Sequence, residues 1–474
     1  MNVLIGLGLF VFVLLVAGLV WAQVMSARHP EPLWDWDALE PELDKVTFPA
    51  DFHWGTATAH HQVEGGHGDN NWARWERDPD ADGNPRIQHG DVSGDAADHW
   101  NLWQGDLDRM IDDLGVNAYR FSVSWSRIEP RPGEFDAEAI AHYHELIDHL
   151  IARNVIPMVT LHHFAHPLWF EDLGGFEKDE NLDHIARFTT KVFSEYGPKV
   201  KYWCTLNEPG PYSIMGYGLG VFPPGVKSLG RLFRVIRNLC AAHVRMVETI
   251  RALPHGSDVR VGLVHNIFQL DPWIRWSPLH WALCRVGDHV YNESFLRFLR
   301  TGRVKVGIPG FGIDEIIEGD RGDFVGLNYY ANLLLDPFMS TKPPFDAHTR
   351  PGQILTDMPY AIYAEGFWRA LHRISKVNLP IWVTENGVAD RKDDGRRATY
   401  IRRYLYAMHR AISEGIDIRG YYYWSLMDNF EWAEGYQMQF GLYAVNYETQ
   451  ERTLRDGSKP YIDAIARSRA GADT

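Results

Sequence analysis

Ile381-Trp382-Val383-Thr384-Glu385-Asn386-Gly387 is a short apolar run that ends in a carboxylate. Trp, Val and Thr favour an enclosed, pleated environment, so the run reads as a buried strand. Leu379-Pro380 opens it and Asn386-Gly387 closes it. A glutamate at the exit of such a strand is costly unless it has partners or a task. Tyr202-Trp203-Cys204-Thr205-Leu206-Asn207-Glu208-Pro209 repeats the design far upstream. Two strands that each deliver a carboxylate at the C-terminal end point to a pair facing one pocket.

Working outward from these two, six more strand-like runs appear. They are 52–59, 118–125, 156–163, 259–264, 323–330 and 419–424, beside 201–206 and 381–384. Amphipathic helical patterns separate them, most clearly at 137–152, 182–196 and 400–412. Strands alternating with helices imply a parallel sheet, and eight such units imply closure into an α/β (β/α)8 TIM barrel. Such a barrel carries its site at the C-terminal ends of its strands. The notable polar residues all fall there.

Thr-Leu-Asn-Glu-Pro at 205–209 and Val-Thr-Glu-Asn-Gly at 383–387 together resemble the two catalytic motifs of the family 1 glycoside hydrolases, the β-glucosidase-like enzymes. The resemblance runs from about Phe48 to Ala466. It implies a retaining mechanism with Glu385 as nucleophile and Glu208 as acid/base. It implies further that Arg120 supports the nucleophile, and that Gln62, His163, Asn207, Asn328, Tyr330, Trp424, Glu431 and Trp432 contact the sugar. No cofactor or metal is implied. There are departures. Phe164 stands where the family usually has Trp, and 437–439 read Gln-Met-Gln where many members carry a Ser-Lys-Arg-like run. An acidic Glu431 in place of phosphate-binding residues predicts a non-phosphorylated glycone, glucoside or galactoside. The Phe-Ala-His-Pro and Glu-Asn-Gly-Val-Ala-Asp stretches also resemble the membrane-anchored galactolipid galactosyltransferase branch. This keeps a glycolipid hydrolase or transglycosidase open as a second reading.

Glycoside cleavage needs two carboxyls with opposite duties, one ionised and one protonated. A cation such as Arg120 beside Glu385 would favour its ionised form, and burial beside an ionised neighbour would raise Glu208. Taken alone, a glutamate at a strand end is more often a solvated or capping residue, and His163 more often a satisfied polar group. Trp424 serves equally as core filler. It is the joint pattern that carries the chemistry. His162, His163 and His166 imitate a metal cluster, but adjacent strand residues point to opposite faces and do not share an ion. A catalytically silent sugar-binding barrel is the reading from another class, and the presence of both glutamates speaks against it.

The formal net charge of −15 excludes nucleic acid as the main partner, since phosphate binding needs a basic surface. Aromatic residues at 13%, with 18 Trp, suit both sugar stacking and a large core. Cys204, Cys240 and Cys284 form neither a disulfide framework nor a zinc motif and read as buried thiols. Residues 3–22 carry no charge and are long enough to span a bilayer, which takes roughly 20 residues. With no Lys or Arg before it, the segment reads as an uncleaved single-pass anchor, the alternative being a signal cleaved after Ala22. Arg28 on its C-terminal side leans towards a cytoplasmic catalytic domain. The expected organisation is an anchor at 1–22, an acidic, proline-containing linker at 23–45 and the catalytic domain at 46–474. Residues 267–285, with Trp273, Trp276 and Trp281, read either as a packed aromatic loop or as an apolar mouth for the aglycone.

Overall fold

Eight parallel strands close a barrel in the computed structural model, which describes residues 2–28, 31–308, 310–338 and 348–470. They are β1 (His53–Thr58), β2 (Ala118–Ser122), β3 (Ile156–His162), β4 (Tyr202–Asn207), β5 (Arg260–Asn266), β6 (Phe324–Asn328), β7 (Ile381–Asn386) and β8 (Ile418–Trp424). Each pairs in parallel with its neighbours in sequence, and β1 pairs with β8 to close the ring. The strands are buried on both faces, which explains their nearly continuous apolar composition. The expected strand positions agree with these spans to within three residues. Trp125 departs from the expected second strand because Ser124 caps a short helix, Trp125–Ile128, by accepting from the Arg127 N–H.

The outer ring includes helices at Ala137–Ala152, Leu182–Tyr196 and Arg396–Ser413, and the first two match the periodicity of the sequence residue for residue. The barrel is plugged at its N-terminal end by rings. Trp382 lies 5.0 Å from Phe324 and 5.4 Å from Tyr202, and its indole N–H donates to His53. Gly420 makes room for this plug, since a Cβ there would sit 2.7 Å from both His53 and Trp382. Apolar at one end, the barrel collects its polar residues at the other.

The segment expected as a linker differs. The apolar helix runs from Asn2 to Arg28, and residues 31–44 are bound to the barrel rather than free of it. Trp36–Leu43 is a helix capped by Asp35. Trp34 and Trp36 pack edge-on against Tyr406, Trp34 also meets Trp368, and both Trp34 and Trp36 donate to Glu365. Acidic composition suggested a tether; in fact the acids of this stretch pair with arginines of the barrel, Glu40 and Asp44 with Arg402. Residues 267–285 divide between their two readings, with Phe268 in the pocket wall and the tryptophans elsewhere. The chain after β5 forms a short strand, Gln269–Pro272, parallel to Asn332–Leu335. This carries Trp273 into a stack on His348 and buries Trp281, while Trp276 is left at the surface. None of the three lines the central pocket.

Candidate active site

Glu208 and Glu385 both stand where the barrel ladder slips. The β4–β5 register shifts between Cys204 and Asn207, and the β7–β6 register shifts between Val383 and Glu385. Such irregularities re-aim the last side chains of a strand. Here they coincide with the two carboxylates. Glu208, Phe164 and Trp432 also hold positive φ angles of 46°, 64° and 47°. Non-glycine residues adopt this region at a cost, and its concentration around one pocket is typical of functional sites.

The pocket has about 880 Å³ of empty space and is lined by both glutamates, His163, Tyr330, Trp424, Glu431 and Trp432 among others. Arg120 lies fully buried beneath it. Its guanidinium donates to Glu385 Oε1 at 2.6 Å, to Asn207 Oδ1 at 2.7 Å, to Thr160 at 3.1 Å and to the Thr384 carbonyl at 3.2 Å. Tyr330 donates to the other Glu385 oxygen at 2.7 Å. Glu385 therefore sits between a cation and a phenol. Burial pushes its carboxyl above the usual range, and Arg120 and Tyr330 oppose that rise without cancelling it.

Glu208 has no cation in contact. Its Oε1 accepts from the amides of Asn266 and Asn328, each at 2.9 Å. Those amides are aimed by their own partners. Tyr291 donates to Asn266 Oδ1 at 2.8 Å and Thr384 donates to Asn328 Oδ1 at 2.7 Å, which leaves both NH2 groups for Glu208. Burial and the charge on Glu385 still outweigh the two amides and push the Glu208 carboxyl up to about 8. The surroundings thus favour the proton on Glu208 and the negative charge on Glu385, the one of the two that meets a guanidinium.

At the inner end of the pocket, Gln62 donates to Asn429 at 3.0 Å and to Glu431 at 3.3 Å. His163 Nε2 accepts from the Asn207 amide at 3.0 Å, so the ring proton lies on Nδ1. Burial, reinforced by Arg120, lowers the His163 pKa well below normal and keeps the ring neutral. Two buried polar atoms are then left without partners, Gln62 Oε1 as an acceptor and His163 Nδ1–H as a donor. Orphaned buried groups of both kinds suit a ligand rich in hydroxyls. Glu431 is likewise pushed up to about 8, by burial and then by Glu385.

All eleven sequence-predicted residues gather here, as lining groups or as hydrogen-bonded partners of them. His162 does not; it turns away to bond His166, which bonds Glu171. The sequence reading missed Asn266 and Tyr291 as supports, and Met215, Phe222, Met358 and Tyr360 of the outer wall, whereas Phe268 of that wall falls within the 267–285 stretch read as an apolar mouth. Asn266 had a visible signal, since it too ends a barrel strand.

Comparison with known proteins gives this geometry a family. Residues 44–470 match the model of glycosyl hydrolase family 1. The chain belongs to that family. β-Glucosidase A of Thermotoga maritima is 34% identical over 452 residues, covering 88% of this chain and 97% of that protein. Raucaffricine-O-β-D-glucosidase of Rauvolfia serpentina is 30% identical, covering 85% and 88%. Among solved structures, a β-glycosidase from Pyrococcus horikoshii superimposes with a TM-score of 0.77 at 36% identity, covering 90% of this chain and 96% of that one. The Thermotoga maritima β-glucosidase in complex with castanospermine gives 0.78 at 31% identity, covering 89% and 99%. This family 1 chain is a β-glucosidase-like glycoside hydrolase with the retaining β-glycosidase activity of its family. The likeness of two short stretches to the galactolipid branch draws no support from these relatives.

Proposed function

We propose that the chain cleaves non-phosphorylated β-D-glucosides and β-D-galactosides, with Glu385 as nucleophile and Glu208 as acid/base. The observation that carries this is the unequal setting of the two glutamates, one against a guanidinium and the other against neutral amides. In the first step Glu385 attacks the anomeric carbon, the bond to the aglycone oxygen breaks, and Glu208 gives its proton to that oxygen. The glycosyl ester leaves Glu385 uncharged. Loss of that charge removes one of the influences that raised Glu208, so Glu208 next takes a proton from water as the water attacks the same carbon. The ester bond breaks, Glu385 regains its charge, and the sugar leaves with its β configuration kept.

Gln62, His163, Asn207, Trp424, Glu431 and Trp432 would hold the glycone. Gln62 Oε1 and His163 Nδ1–H offer an acceptor and a donor to sugar hydroxyls. A third acid at the inner end, Glu431, speaks against a phosphorylated sugar, because a carboxyl there accepts from hydroxyls and supplies no positive charge to hold a phosphate. The outer wall is mainly apolar, with one further acid, Glu434, that burial alone raises. It suits an aglycone with a hydrophobic body. The exposed apolar helix over Ile5–Ala27 would attach the enzyme to a membrane.

The test is trapping with 2-deoxy-2-fluoro-β-D-glucosyl fluoride followed by peptide mass analysis. A covalent sugar on the peptide containing Glu385, with activity lost in proportion, is the expected result. A sugar on any other residue would remove Glu385 from its proposed role.

A further inference from the structure

Outside the apolar helix, the three most exposed large hydrophobic side chains among the described residues are Phe338 at 85%, Leu33 at 75% and Trp276 at 69%. Leu279 is exposed as well. These four come from three segments far apart in sequence, yet each lies within a few residues of one bonded cluster. Glu31 accepts from Arg350 at 2.9 and 3.1 Å and pairs with Arg275 at 3.4 Å. Arg350 also donates to the carbonyls of Pro272 and Trp273. Trp273 stacks on His348 at 4.4 Å, and Asp336 joins His348 at 3.1 Å to His280 at 3.6 Å. Leu33, Trp276, Leu279 and Phe338 thus project from neighbouring points of a single cross-linked surface. That surface is built on the chain following β5 and β6, at the end of the barrel where the pocket opens, and Phe268 and Tyr360 of the pocket wall come from the same loops.

The apolar helix ends at Arg28, three residues before Glu31. Three residues reach about 10 Å at most. A bilayer holding the apolar helix, which is exposed throughout Ile5–Val20, would therefore lie against this surface and not against the opposite end of the barrel. Large aromatic side chains beside arginines are what a protein presents to a membrane interface. Arg275 and the exposed Arg285 supply the arginines.

We propose that Leu33, Trp276, Leu279 and Phe338 form a membrane-docking face that rests on the lipid interface and holds the pocket mouth next to it. This rests on the membrane-anchor reading of the helix given above. The docked enzyme takes amphiphilic β-glycosides whose sugar stands above the bilayer while the apolar aglycone stays close to lipid.

The experiment uses the full chain in nanodiscs of phosphatidylcholine and phosphatidylglycerol, with spin labels on Trp276→Cys and on Phe338→Cys. The native cysteines are buried and do not compete for label. Ile151→Cys, on the helix end that leads into the start of β3, is the control at the opposite end of the barrel. Labels at 276 and 338 should show high oxygen and low nickel-chelate accessibility, and the label at 151 the reverse. Equal, water-like accessibility at all three sites would overturn the docking face. A second arm replaces Trp276, Leu279 and Phe338 with serine together. kcat/KM on dodecyl β-glucoside embedded in vesicles should fall about tenfold, with p-nitrophenyl β-glucoside in solution unaffected. No change on the embedded substrate would also overturn it. Hydrolysis of the soluble substrate reports on the proposed chemistry independently of docking, so the two readings fail separately.

Discussion

The ends of β4 and β7 look alike in sequence and differ in surroundings. Each is an apolar strand with a slipped register that delivers a glutamate into the same pocket. Around Glu385 are Arg120 at 2.6 Å and the Tyr330 hydroxyl at 2.7 Å. Around Glu208 are two amides at 2.9 Å and no cation in contact. The difference teaches that duty is assigned by neighbours and not by the carboxylates themselves. A buried acid keeps its charge where a guanidinium meets it and keeps its proton where only neutral dipoles do.

The largest effect should come from removing the charged member. Glu385→Gln should lower kcat by about 10⁴-fold or more on every substrate, since the proposed nucleophile would be gone. Glu208→Gln should cost about 10²–10⁴-fold on an alkyl glucoside and far less on 2,4-dinitrophenyl glucoside, whose leaving group needs no proton. Steady-state rates on both substrates check the contrast. Equal losses on the two leaving groups would erase it.

Next comes the cation. Arg120→Met leaves Glu385 buried without its counter-charge, which generally costs about 3–5 kcal/mol. The variant should melt earlier and lose about 10²–10³-fold in kcat. Glu385 would also rise further, so the acidic limb of the rate profile should move to higher pH. The position of that limb separates an electrostatic role from mere loss of fold, which would lower the whole profile without moving it.

The mildest perturbation is pH. As the proposed acid, Glu208 carries its proton when the aglycone leaves, and burial with the Glu385 charge holds it up to about 8. Its protonated fraction is complete well below that value and is lost as pH rises through it. kcat/KM on an alkyl glucoside should therefore decline through a basic limb near 8, and the Glu208→Gln variant should lack that limb. A wild-type profile flat to pH 10 or so would contradict the assignment.

The barrel was legible because its strands are buried on both faces, so each reads as an apolar run with a breaker or polar residue at the exit. Glu208, Glu385, Asn207 and Asn328 were visible for the same reason. What stayed hidden depends on partners distant in the chain. Tyr291 comes from an irregular helical turn and matters only because its hydroxyl reaches Asn266, 25 residues away. The outer wall also joins Met215, Phe222 and Met358, ordinary apolar residues with no local signature. Residues 31–44 carried the composition of a linker. Their docking rests on Trp368, Tyr406 and Arg402, more than 300 positions later.

Azide rescue tests the division of labour between the two glutamates most directly. Glu208→Ala and Glu385→Ala are each incubated with 2,4-dinitrophenyl β-glucoside and sodium azide, and the product is read by proton NMR. With Glu208 removed, azide should attack the glycosyl ester on Glu385 and give the β-glucosyl azide. With Glu385 removed, azide should take the place of the nucleophile and give the α-glucosyl azide. The opposite pairing of variant and anomer would contradict the account.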